Sequence, residues 1–261
     1  MGDVQLKDLE RLSNYQEVTC KMIDKYQNEM NNRMSHLDRI QHILMLRSKF
    51  IPNVGLLNGK MGIIIAFAHL YEYTHSEVYY DYMSELLDDV MEHIYKSLDF
   101  GFMSGLSGVG WGIEYLLQNQ FVEGQGIEIC EEIDWKIMTF DSRRIIDLSL
   151  DSGLEGLLHY VLIHIRGNNE ANALLPFDER YFTDLYERVK LLSANHGSSS
   201  LIQLSIMYMD WYENRLIFDY RLDIMQFVCP PIVDVNQGSL IDLPLGIKDG
   251  LSGLLLKQLL V

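Results

Sequence analysis

Cysteine is scarce in this chain. The three present, Cys20, Cys130 and Cys229, are far apart and show no CxxC or other ligand spacing. An odd number without a pattern argues against a disulfide framework or a local zinc motif, and free thiols in a reducing cytoplasm are the simplest expectation. Long apolar runs are also missing. No segment approaches the roughly 18 apolar residues of a membrane span, and the longest stretches, such as Gly62 to Ala68, are soon interrupted. The first residues, Met1 to Leu9, mix Asp3, Lys7 and Asp8 with few apolar side chains and so lack the basic start and apolar core of a secretory signal. A soluble, cytoplasmic protein without a membrane span is expected. Positive charge is in deficit: 21 Lys and Arg against 37 Asp and Glu give a formal net charge of −16, and the densest basic cluster is only Arg143-Arg144. Such a field repels a polyanion, which excludes nucleic acid as the expected partner and favours a basic or neutral one.

What the chain does have is a hydrophobic content of 48% with 22% charged residues, the balance of a globular protein. It also has a repeat. Gly55, Gly59 and Gly62 recur in spacing as Gly101, Gly105 and Gly108, and again as Gly246, Gly250 and Gly253. With Ser allowed at the outer positions, Ser149, Gly153, Gly156 and Ser193, Gly197, Ser200 complete five copies. The central glycines at 59, 105, 153, 197 and 250 are separated by 46, 48, 44 and 53 residues. Two helices of about 15 residues with their loops need that length, so each interval holds one helical hairpin.

The residues around the motifs agree. Ile63 to Tyr73 is nearly continuous apolar and aromatic, as an inner helix covered on most sides requires, and Trp111 to Leu117, Leu157 to Ile165, Leu201 to Met209 and Leu251 to Leu260 read likewise. The stretch before the second motif places Tyr79, Met83, Leu86, Val90 and Ile94 at helical steps with acidic residues between them, an outer helix with one wet face. Residues 1–50 carry no motif. Val4 to Met34 and Met34 to Phe50 read as an N-terminal helical pair that either fills the place of another hairpin or supplies an arm and the outer helix before the first motif. The glycine strings do not end in Lys-Ser/Thr and follow no strand, which excludes a phosphate-binding loop; Lys60 lies outside that pattern.

On GLLNGKMGI, GFMSGLSGVGW and GIKDGLSGL, the sequence resembles the lanthionine synthetase C-like family over about residues 50–261. The resemblance implies an all-α fold: an (α/α) toroid or barrel of five to six helical hairpins with the glycine-rich loops on one face, forming a single domain over residues 1–261. Family enzymes close thioether rings in peptides, as in lantibiotic biosynthesis. They add a cysteine to a dehydrated serine or threonine, with a zinc held by two Cys and one His activating the thiol.

Alignment on the central glycines puts the zinc positions at Asp151, Asn195 and His196, and a further family histidine at Ser104. Only His196 keeps the family residue. Asp151 and His196 remain weak metal candidates and the candidate catalytic pair, while a hydrogen-bonded His196 and an Asp151 that caps the following helix form the structural alternative. No cofactor is expected. None of the cysteines falls in a glycine motif, so Cys130 and Cys229 read as structural.

The same barrel architecture serves glycosidases, and Asp151, Glu155, Asp242 and Asp249 lie near the motif loops, although no spacing marks an acid and a base. Residues 230–244, with Pro230, Pro231 and Pro244, interrupt the last hairpin as a connector or a lid. The expectation is a degenerate, zinc-free member that binds a peptide or a modification-enzyme partner on an acidic loop face containing Ser104, Asn195, Glu155 and Asp249. The alternatives are a cyclase-type enzyme using His196 and Asp151, or a carbohydrate-binding or carbohydrate-hydrolysing barrel.

Overall fold

The apolar stretches after the glycine motifs and the amphipathic stretches before them become two kinds of helix in the computed structural model, which describes residues 36–94, 99–168, 174–192, 197–214, 218–232 and 240–261. Helices α2 (Lys60–Thr74), α4 (Leu106–Gln118), α7 (Leu154–Gly167) and α10 (Leu251–Leu260) are buried over most of their length. Their sequences have no polar stripe because neighbours cover them on several sides. Helices α3 (Glu77–Ile94) and α8 (Glu179–Lys190) bury one face each, through Met83, Leu86 and Val90 in α3 and Phe182, Leu185 and Val189 in α8. A helix over residues 36–47 (α1) precedes the first motif, and the outer position after α4 is divided between α5 (Gly126–Ile129) and α6 (Glu131–Met138).

With α9 spanning Ser199–Asn214, the inner helices touch in the order α9–α7–α4–α2–α10, with α3 against α2, α6 against α4 and α8 against α9. This is the all-α toroid, with no strand among the described residues. Buried Lys60, in the first turn of α2, bonds Asp89 of α3 and ties an inner to an outer helix. Helix α9 (Ser199–Asn214) departs from the expectation of a fully covered inner helix: Gln203, Ile206 and Asp210 are exposed. One flank packs on α7, while another lines a cavity instead of a further inner helix.

The segment after α9 is not an outer helix. Residues 218–232 run through irregular backbone and one short 3-10 turn (Ile224–Gln226), delivering Tyr220 and Phe227 into the interior of the ring. Phe227 packs on Phe102, Trp111 and His159 with ring centroids 5.0 Å away from each. Of the expected N-terminal pair, the helix over Val4 to Met34 lies outside the described residues. The second helix is α1, and its end bonds to the final loop through Arg47 Nη1 and the Leu243 carbonyl at 2.9 Å.

Candidate functional site at the glycine loops

Four of the five motif loops stack side by side through the third residue of each motif. The Lys248 N–H donates to the Leu57 carbonyl at 3.1 Å, Leu57 to Met103 at 3.1 Å, and Met103 to Asp151 at 2.9 Å. The Asp249 N–H continues the series to the Cys229 carbonyl at 2.7 Å. Backbones come this close only where side chains are absent. A Cβ on Gly55 would lie 2.2 Å from Ser104 Cα and 2.4 Å from the Met103 carbonyl oxygen.

Each loop then starts its helix in the same way. Gly59, Gly105, Gly153 and Gly250 are extended N-cap residues without a side-chain cap. The first helical N–H reaches back across the loop instead: Lys60 to the Asn53 carbonyl, Leu106 to Asp99, Leu154 to Asp147 and Leu251 to Pro244. These bonds satisfy donors that a helix start otherwise leaves open. In three copies the side chain of that same residue also closes the loop. Asn53 accepts from the Gly55 N–H at 2.9 Å, Asp99 from Gly101 at 2.8 Å and Asp147 from Ser149 at 2.8 Å. The repeat therefore extends to an Asn or Asp two residues before its first position. That signal stands in the sequence but is hidden when the sequence is scanned for glycine alone.

The fourth copy is different. Gly197 has φ +115° and does not cap its helix; α9 begins at Ser199, and Ser198 Oγ accepts from the Leu201 N–H at 3.0 Å. Asn195 and His196 lie outside the described residues.

The ladder explains where the other expected residues sit. Asp151, third in its loop, does not cap α7. Its carboxylate is held by the Lys248 ammonium at 2.9 and 3.1 Å, two third-position side chains joined across the loop face. Ser104 Oγ accepts from Asn53 Nδ2 at 3.0 Å, so the loop layer uses it internally. Asp249 is exposed in left-handed backbone at φ 56°. Glu155, in the first turn of α7, is buried and accepts from Ser198 Oγ at 2.7 Å.

Beside the loops, a cavity of about 420 Å³ opens between α7, α9 and the 219–227 segment. Glu155, His159, Gln203, Asp219, Tyr220 and Arg221 are among its lining residues. Of the carboxylates considered for hydrolysis, Glu155 is in this wall, whereas Asp151, Asp242 and Asp249 are not. Trp111 Nε1 donates to the Tyr220 hydroxyl at 2.8 Å, and that hydroxyl meets His159 Nδ1 at 2.6 Å. An indole N–H can only donate, so the Tyr220 oxygen accepts from Trp111 while its bond to His159 Nδ1 ties the imidazole into the same chain. Burial lowers the His159 pKa to about 3, which keeps the imidazole neutral.

The lanthionine synthetase C-like family model matches residues 4–217, which includes the N-terminal segment that the glycine motifs do not reach. The chain belongs to the lanthionine synthetase C-like family. No curated protein and no solved structure matches it. The match stops before the last motif, yet the Lys248 bonds place that loop in the same ladder.

Asp151, Asn195 and His196 align with the positions that the family uses for zinc. Neither thiolate is present, and the Asp151 carboxylate is already neutralised by an ammonium group in direct contact. Cys229 reaches the loop layer from outside the motifs. It lies outside every motif, but its exposed residue borders Lys248 in the ladder. Only the fold of the 218–232 segment brings it there.

Proposed function

We propose that this protein acts in cytoplasmic peptide modification as a zinc-free binding or accessory module, holding a basic peptide segment against its acidic loop face. The observation that carries this reading is the Lys248–Asp151 ion pair. A thiol-activating centre needs soft donors and an open coordination position, and an ammonium occupies the space where one donor would act. The adjoining cavity suits a cationic side chain through Glu155 and Asp219, and the net charge of −16 draws a basic segment from a distance. The partner is the peptide itself or the enzyme that carries it.

Two measurements test the reading. The protein, with and without added zinc, is incubated with a synthetic peptide containing dehydroalanine and cysteine, and thioether formation is followed by mass spectrometry. Separately, a fluorescein-labelled lysine-rich peptide is titrated by anisotropy at low and high salt. The expected result is ring closure no faster than in buffer, with saturable binding that salt weakens. Ring closure that disappears in His196→Ala would replace this reading with the enzyme alternative.

A further inference from the structure

At the far end of the inner helices from the glycine loops, a second polar cluster is buried between α4, α7 and the α5–α6 junction. His164 stands ten residues beyond the first residue of α7, about 15 Å along its axis. Its Nδ1 meets Glu114 Oε1 at 2.6 Å and its Nε2 meets Asp134 Oδ2 at 2.8 Å, with all three side chains at most 5% exposed. Cys130, fully buried, completes the group: Glu114, Cys130 and His164 each bring a ligand atom within 4.8 Å of the others.

We propose that Glu114, Cys130 and His164 form a buried structural zinc site, with Asp134 orienting the imidazole. This site is separate from the loop positions and does not depend on the function proposed above. Thiolate, imidazole and carboxylate are donors zinc takes, and tetrahedral zinc sets its ligands roughly 3.5 Å apart, so shifts of about 1 Å bring these three atoms to three of its four positions. The surroundings are those of a metal ligand set. With Nδ1 on the metal, the Nε2–H remains on Asp134, the carboxylate–histidine–metal arrangement, and the Tyr160 hydroxyl donates to the other Asp134 oxygen at 2.5 Å. Gln118 Nε2 fixes the second Glu114 oxygen at 2.7 Å. Bare backbone presses on this carboxylate from two sides: a Cβ on Gly126 would lie 2.0 Å from Glu114 Oε1, and one on Gly167 would lie 2.4 Å from Oε2.

The charges balance as well. Both His164 nitrogens meet carboxylate oxygens, which accept and do not donate, so the metal-free cluster contains an imidazolium. Zinc entering the site displaces one proton from Nδ1 and one from the Cys130 thiol, leaving the net buried charge unchanged. Asp134 also borders an outer cleft of about 670 Å³ whose wall includes Glu128, Glu131 and Glu132, an acidic entrance for a cation.

The test uses the full chain, stripped with chelator and titrated with cobalt(II) and then zinc(II). It is followed by the thiolate-to-cobalt charge-transfer absorption, metal content after dialysis and far-UV circular dichroism. Cys20→Ser/Cys229→Ser, Cys130→Ser and Asp151→Asn/His196→Ala are compared. The expected result is one zinc per chain and release of two protons. The thiolate band should persist in Cys20→Ser/Cys229→Ser and in Asp151→Asn/His196→Ala, while Cys130→Ser loses the band and at least tenfold in affinity. Folded wild type that takes up no metal, or a band lost in Cys20→Ser/Cys229→Ser, overturns the proposal. Metal lost in Asp151→Asn/His196→Ala does so too, and returns zinc to the loops at the expense of the zinc-free reading. In the Cys20→Ser/Cys229→Ser protein a thiolate band can come from Cys130 alone, so the assignment holds or fails even if Cys130→Ser does not fold.

Discussion

Replacing Tyr220 by Phe removes one oxygen atom, and its cost follows from what that oxygen serves. The hydroxyl accepts from Trp111 Nε1 at 2.8 Å and hydrogen-bonds His159 Nδ1 at 2.6 Å. Trp111, His159 and Tyr220 are at most 3% exposed. Without the hydroxyl, two buried polar groups, the Trp111 N–H and His159 Nδ1, lose their partner together. The vacated volume is smaller than the roughly 30 Å³ share of a water molecule, so a replacement water reaches these groups only from the adjoining cavity that His159 and Tyr220 line. Each orphaned group costs about 1–3 kcal/mol, so Tyr220→Phe should destabilise the protein by about 2–6 kcal/mol. Guanidinium unfolding followed by tryptophan fluorescence and circular dichroism gives the value. Tyr186→Phe, whose hydroxyl bonds Glu213 near the surface, is the control and should leave the midpoint nearly unchanged. A Tyr220→Phe protein within about 0.5 kcal/mol of wild type would refute the claim that the 218–232 segment is locked to the ring through this atom.

Two further outcomes rest on separate features. Gly55→Ala puts a Cβ 2.2 Å from the Ser104 backbone and should part the loop ladder at a cost of about 3 kcal/mol or more, whereas Glu187→Ala, on the exposed side of α8, should fall within about 0.5 kcal/mol of wild type; equal midpoints in urea would contradict the ladder. In metal-free protein the folded His164 pKa of about 9 lies above its unfolded value near 6.5, so its stabilisation is complete below about pH 6.5 and is lost as pH rises through 9. Unfolding free energy should therefore fall by on the order of 3 kcal/mol over that interval, and His164→Gln should flatten the profile; stability that rises over the same interval would reverse the sign of the argument.

The glycine spacing and the alternation of apolar and amphipathic stretches were enough to read helix order and layer from sequence, because both are local. A motif whose central glycine starts a helix needs only its own few residues, and a helix such as α2 covered on several sides has no polar stripe to display. The same locality explains the difficulty with α9. Its apolar run from Leu201 resembles the others, but how much of it is covered depends on the 218–232 segment, whose course no periodicity marks.

The candidate site was less legible. Asp151 could be aligned with a zinc position, yet its partner Lys248 is 97 residues away, and their meeting depends on loops that are adjacent in space only once the ring is assembled. Glu114, Cys130, Asp134 and His164 read singly as helix residues of no particular note. Low-dielectric surroundings give that group its character, and burial is a property of the packed molecule, not of any segment. Sequence by itself thus determined which stretches form helices, where each begins and which face is apolar, since 3.6-residue periodicity and backbone sterics act over a few residues. Tertiary structure decided which charges neutralise one another, which hydroxyl locks the centre and which side chains converge out of water, since those depend on distances between atoms far apart along the chain.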